Sequence, residues 1–124
     1  MIIEAINALD SSGYIVDGEP STEAEFLASF KKVTGESNGE AVLSTDPDDF
    51  GITWSQIIAK RDELVAAEPL KRLREERDMM LAETDWWGVS DRTMSQAETD
   101  YRQALRDITD TYTSLDTVVW PTKP

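Results

Sequence analysis

The chain has 124 residues, no cysteine, no histidine and a formal net charge of −13. Thiolate and imidazole chemistry, disulfides and an ordinary zinc site are thereby excluded, and so strong a negative charge makes nucleic acid and anionic membrane surfaces poor partners. Hydrophobic residues still make up 40% of the chain and include four tryptophans, enough to bury a core for one domain or for a small domain with a helical appendage.

The opening MIIEAINALD carries an acidic residue at Glu4 and no basic stretch, and no apolar run approaches the ~18 residues of a membrane span, so neither a signal peptide nor a transmembrane helix is expected. Ile2, Ile3, Ile6 and Leu9, with Ala5 and Ala8, predict a short first helix that ends near Gly13. Tyr14, Ile15 and Val16 form a β-prone run stopped by Asp17 and Gly18. Pro20 and Ser21, with Thr22 and Glu25 at capping-box spacing, start a second helix, with Phe26, Leu27, Phe30 and Val33 as its buried face and Gly35 to Gly39 as its end. Ala41, Val42 and Leu43 make a second short strand before the turn at Asp46 and Pro47. A strand, a helix and a second strand imply a small sheet with parallel pairing.

From Thr53 the period is helical. Thr53 and Gln56 make a capping box, and Trp54, Ile57, Ile58, Arg61, Leu64 and Val65 share one side. Pro69 is expected to start a new segment or to mark a kink. Leu70, Leu73, Arg77, Met80 and Leu81 continue the packed side to a turn around Trp87 and Gly88. Ser95 and Glu98 cap the next helix, on which Ala97, Tyr101, Ala104, Leu105 and Ile108 face one way. The expected architecture is therefore α+β: a small helix/strand/helix/strand unit over residues 1–53, then over 54–124 a long helix and an antiparallel helical hairpin with an extended tail, 115–124.

Charge follows the same division. Residues 1–53 carry eleven acidic and two basic side chains, and every arginine lies beyond Thr53. Arginine suits bidentate carboxylate pairing and stacking on aromatic rings, so the second part is the better supplied for a fixed polar network. Arg74 and Asp78, Glu98 and Arg102, and Arg106 and Asp110 are each four apart on a helix face, though exposed pairs of this kind contribute only about 0.2–0.5 kcal/mol each. Beside the apolar stripe, Arg77, Asp85, Asp91, Tyr101 and Arg102 can form a hydrogen-bonded cluster that fixes the hairpin end. Trp86 and Trp87 are adjacent in a turn, so one of them should be partly exposed and open to a partner. Trp120, in VVWPTKP, can dock back on its own domain as a strand or reach into a neighbour.

The blocks LREERD, LAETDW, an Asp-containing turn, YRQALRD and VVWPTKP, in that order, resemble the C-terminal domain of the bacteriophage tail assembly chaperone family. Leu73, Arg74, Arg77, Asp78 and Leu81 match its first helix block, Asp85 and Trp86 the end of that block, and Asp91 the turn aspartate. Tyr101, Arg102, Leu105, Arg106 and Asp107 match the second helix block, and Trp120 and Pro121 the terminal segment. The chain departs from the pattern at Trp87, where a smaller polar residue is usual, and at Ala97 to Asp100, where a further aromatic often precedes the Tyr-Arg pair. The opening IIEAINAL and the helix start TWSQI also resemble short proteins encoded near phage tail-fibre genes.

The resemblance implies a non-catalytic protein that helps a tail or tail-fibre protein to fold, trimerise or join the virion. It would act in the cytoplasm of the infected bacterium. The alternative is a permanent virion component, an adaptor at a fibre tip or tail junction. Self-association is open. Asp46, Asp48, Asp49 and Gly51 lack the spacing of a calcium loop, whose bidentate glutamate would fall at Ile57. No catalytic residues, cofactor or metal are expected.

Overall fold

Burial of Ile2, Ala5 and Ile6 fixes the first helix, α1 (Ile2–Leu9), against an aromatic cluster. The computed structural model describes residues 1–124, which divide into two compact units, Met1–Ala66 and Ala67–Pro124. In the first unit α1 is followed by β1 (Tyr14–Val16), α2 (Glu23–Ser29), β2 (Phe30–Ser37), β3 (Glu40–Ser44), a 3-10 turn at Pro47–Asp49 and the start of α3 (Trp54–Glu83). Phe26, Phe30 and Phe50 form its centre, with ring centroids 4.7 to 5.7 Å apart. Ile52 and Ile57 complete the buried set, and Trp54, Ile58 and Leu64 pack on it from α3.

The caps form largely as their spacing dictates. The Thr53 hydroxyl accepts from the Gln56 amide while the Gln56 side chain accepts from the Thr53 N–H, a complete capping box. At α2 only half of the box closes. Thr22 accepts from Glu25 N–H, but the Glu25 carboxylate takes the amide and hydroxyl of Ser21 instead.

The sheet corrects the expectation in two respects. The helix that should carry Phe26, Leu27, Phe30 and Val33 ends at Ser29, and Phe30 opens the strand β2. The three strands, in the order β1-β2-β3, are all antiparallel, with Tyr14 opposite Lys32 and Ser37 opposite Glu40. A parallel crossover must carry the chain back to the start of the first strand, whereas α2 runs directly into β2 at Phe30. The reversal to β3 is made by Asn38 and Gly39 at φ +54° and +81°, two left-handed residues that suit a tight hairpin. The segment 41–43 is a strand, but its neighbour is β2 and not β1.

Asp10 and Lys32 are the buried ion pair of this unit, with side chains 5% and 13% exposed. Burial pushes the Asp10 carboxyl up, yet the Lys32 ammonium and the amide and hydroxyl of Ser12 outweigh it and hold the group below the usual carboxylate range.

The second unit contains most of α3, a 3-10 turn at Asp85–Gly88, α4 (Gln96–Arg106) and α5 (Ile108–Thr111). No new segment begins at Pro69, because α3 is continuous from Trp54 to Glu83. Pro69 lacks the N–H that would bond the Val65 carbonyl, so one bond of the helical ladder is missing there. Leu73 and Ile108 are buried along the helices. No helix is long and apolar enough to cross a membrane.

The Asp10–Lys32 pair gives a test of the first unit. Lys32→Met should cost about 3 kcal/mol in denaturant unfolding, because it strands a buried carboxylate, whereas Asp10→Leu with Lys32→Met should recover most of the loss. Since the folded-state pKa of Asp10 is depressed, its stabilisation is present above the ordinary carboxylate range and is lost as pH falls through the folded value. Acid unfolding of the double variant should therefore be shifted to lower pH than that of the wild type.

Candidate functional site at the end of the helical hairpin

The Leu81 carbonyl at the end of α3 is bonded by the Thr84 N–H at 3.1 Å, and Arg102 of α4 brings a charged donor to the same atom. Its guanidinium donates to the Leu81 carbonyl at 2.8 Å, to the Thr84 hydroxyl at 2.6 Å and to Asp85 Oδ1 at 2.9 Å. Thr84 is fully buried, and its hydroxyl also donates to the Leu81 carbonyl. The Arg102 side chain is 13% exposed and that of Asp85 66%, so the carbonyl and hydroxyl contacts, rather than the ion pair, carry the stabilisation.

Beneath this lies an apolar cluster of Trp87, Tyr101 and Leu105, with Met80, Leu81, Met94 and Trp120 packed on it. Trp87 and Tyr101 meet with centroids 6.0 Å apart. Burial raises the Tyr101 hydroxyl pKa, with a smaller contribution from Glu83. Trp87 thus places a second ring beside Tyr101, on a stretch of α4 that carries no aromatic at Ala97 to Asp100.

A second arginine organises the turn. Arg92 donates to both carboxylate oxygens of Glu98, at 3.1 and 2.6 Å, and to the Trp87 carbonyl at 3.1 Å. Its guanidinium carbon lies 4.7 Å from the Trp86 ring centroid, within cation–π range. Glu98 simultaneously accepts from the Ser95 amide and completes the capping box of α4. The Arg92 bond, followed by that of Ser95, holds the Glu98 carboxyl below its ordinary range. Trp86 itself stands 57% exposed, edge-on to Trp87 at 6.3 Å.

The remaining residues marked by the sequence are distributed differently. Arg77 pairs with its neighbour Asp78 at 2.8 Å and does not join Asp85, and Asp91 is exposed and makes no side-chain hydrogen bond. Arg74 is exposed, and Arg106 reaches only Gln103, at 3.4 Å. The spacings Arg74–Asp78, Glu98–Arg102 and Arg106–Asp110 form no ion pairs: Asp78, Glu98 and Arg102 bind elsewhere, and α4 ends at Arg106, before Asp110. Trp120 and Pro121 are half-buried. The tail folds back on its own unit without becoming a strand, and Lys123 lies 3.9 Å from Glu83 and 5.9 Å from the Trp87 ring.

Sequence reasoning passes over Thr84 and Arg92. Thr84 lies inside LAETDW, but a buried threonine at a helix end has no periodic signature. Arg92 and Glu98 are six apart across a turn, a separation that no helical or strand rule pairs. The region is assembled from side chains fixed to backbone carbonyls and aromatic faces, and no group of three or more acidic side chains is placed to hold a metal ion. It can present a rigid aromatic surface.

Two substitutions separate the contributions. Arg102→Met should lower the stability of the second unit by about 2 kcal/mol in urea unfolding followed by tryptophan fluorescence, because Thr84 and Leu81 lose their charged partner. Asp85→Asn should change it by less than about 0.5 kcal/mol. Equal losses from the two would contradict the carbonyl-centred reading.

No curated protein and no solved structure matches the chain. Residues 70–124 match the family described as phage tail assembly chaperone protein, so the second unit, over nearly its whole length, is similar to the family that its LREERD, LAETDW, YRQALRD and VVWPTKP blocks resemble.

Proposed function

We propose that this chain is a non-catalytic assembly protein that binds a phage tail or tail-fibre protein and assists its folding, trimerisation or attachment, in the cytoplasm of the infected host. The family match supports a tail-assembly role. The observation that carries the contact surface is Trp86, which stays 57% exposed while Arg92 stacks on it and is itself pinned by Glu98 and the Trp87 carbonyl. An aromatic anchor held in place before binding loses little conformational entropy on association, and Trp and Arg are the residues most enriched at interface hot spots.

The turn also exposes Val89, and the tail exposes Leu115 and Val119. Such a surface suits reversible cover for apolar segments of an incompletely assembled partner, and the net charge of −13 would keep the complex in solution. Among the motif residues, Leu73, Leu81, Tyr101, Leu105 and Arg102 hold the hairpin, while Trp86 makes the contact.

Coexpression with a tail-fibre protein of the same phage should raise that protein's soluble, trimeric yield. Trp86→Ala should reduce its capture by about tenfold or more with little change in unfolding midpoint. Unchanged solubility and trimer yield in the presence of the wild-type chain would sink the reading. Quantitative mass spectrometry of salt-washed virions separates the roles: absence from particles supports a released chaperone, and near-stoichiometric recovery supports a permanent adaptor.

A further inference from the structure

The first unit lies outside the matched segment, and its sheet ends on an open edge. Strand β3 pairs with β2 on one side only. The pair Ser37–Glu40 closes a two-residue turn and is therefore hydrogen-bonded, so at the next pair, Glu36–Ala41, the N–H and C=O of Ala41 point away from β2. Natural edges are commonly blunted by lysine, proline or a bulge. β3, with the sequence EAVLS, has neither lysine nor proline, and the register shift near Thr34 lies on β2. Val42 and Leu43 are 43% and 39% exposed.

Charge identifies the occupant. Glu40, Asp46, Asp48 and Asp49 lie at the two ends of this strand and Glu36 lies opposite Ala41 on β2; all are exposed, and none enters a salt bridge. Of the two lysines of β2, Lys32 is committed to Asp10 and Lys31 alone is unpaired. Pairing β3 with a second copy of itself would bring two such carboxylate sets together, which opposes self-association. We infer that the β3 edge is a strand-addition site for an extended segment of another protein in which apolar residues alternate with lysine or arginine. Main-chain hydrogen bonds to the outward groups of β3 would provide the pairing, and the carboxylates would select basic over acidic segments. This goes beyond the hairpin reading and does not depend on it.

The test uses the full chain labelled with nitrogen-15 and, as probe, a short capped peptide of alternating lysine and valine, with a glutamate–valine peptide as its counterpart. The lysine–valine peptide should shift the amides of Ala41 to Ser44 and slow hydrogen exchange at the outward amides of Ala41 and Leu43, more weakly at high salt, and the acidic peptide should not. Ala41→Pro, which removes an outward N–H, should weaken binding by about tenfold. Should that variant unfold, Glu40→Lys serves instead and should likewise weaken the basic peptide. The inference is overturned by no binding at millimolar peptide, by equal binding of both peptides, or by shifts located away from β3. Concentration-dependent protection of β3 without peptide would also overturn it, by assigning the edge to a second copy.

Discussion

The hairpin end depends on how α3 terminates. A helix leaves its last carbonyls without intrahelical partners, and here the Leu81 carbonyl receives the Thr84 N–H, the buried Thr84 hydroxyl and Arg102 from α4. One charged side chain therefore reinforces a helix end that the Thr84 N–H closes, and joins it to the next helix across the turn. The ionic partner of that arginine, Asp85, is largely solvated and is the smaller part of the arrangement. With the turn fixed, Trp87 is directed into the cluster with Tyr101 and Leu105, and Trp86, one residue earlier, is left outside.

Arginine rather than lysine suits both positions that matter. Arg102 spreads its donors over a carbonyl, a hydroxyl and a carboxylate, and Arg92 binds Glu98 through two nitrogens while its plane covers Trp86. A lysine offers a single strongly hydrated point charge and neither the fork nor the flat face. The concentration of arginines beyond Thr53 thus has a structural counterpart, although the partners they take are not those at helical spacing. Glu98 shows why. The same carboxylate caps α4 and receives Arg92, and a group so occupied is withdrawn from the i,i+4 pair with Arg102.

What could be read in the sequence was what local rules determine. The capping boxes at Thr53 and Ser95 form, α1 lies where its periodicity places it, Trp54, Ile57, Ile58 and Leu64 of α3 pack on the core as their spacing predicts while Val65 does not, and the mixed α+β class follows. The strand β2 was not legible because Phe26, Leu27, Phe30 and Val33 also satisfy helical spacing. Only Asn38–Gly39, a strong signal for a tight hairpin, argues against that spacing. Pro69 misleads because the rule against proline within a helix states a cost and not a prohibition, and the 30 residues of α3 run through it. At the hairpin end, the order of the motif blocks marked the region, but the tertiary contacts of Thr84 and Arg92 are set by a turn whose geometry no pattern of residues encodes.

The adjacent tryptophans show how a stable fold can keep an apolar group exposed. Burying Trp86 as well as Trp87 would require the Asp85–Gly88 turn to direct two successive large rings inward, and the space beside Tyr101 is already filled by Trp87 with Trp120 against the same cluster. The exposure of Trp86 is therefore a consequence of packing and not of local disorder. Arg92 then limits its motion from the solvent side at a cost already met by the bonds to Glu98 and the Trp87 carbonyl. A ring held by Arg92 and Trp87 and otherwise open is ready to meet a partner without reorganisation, which distinguishes this position from Val119, whose more exposed side chain has no comparable clamp.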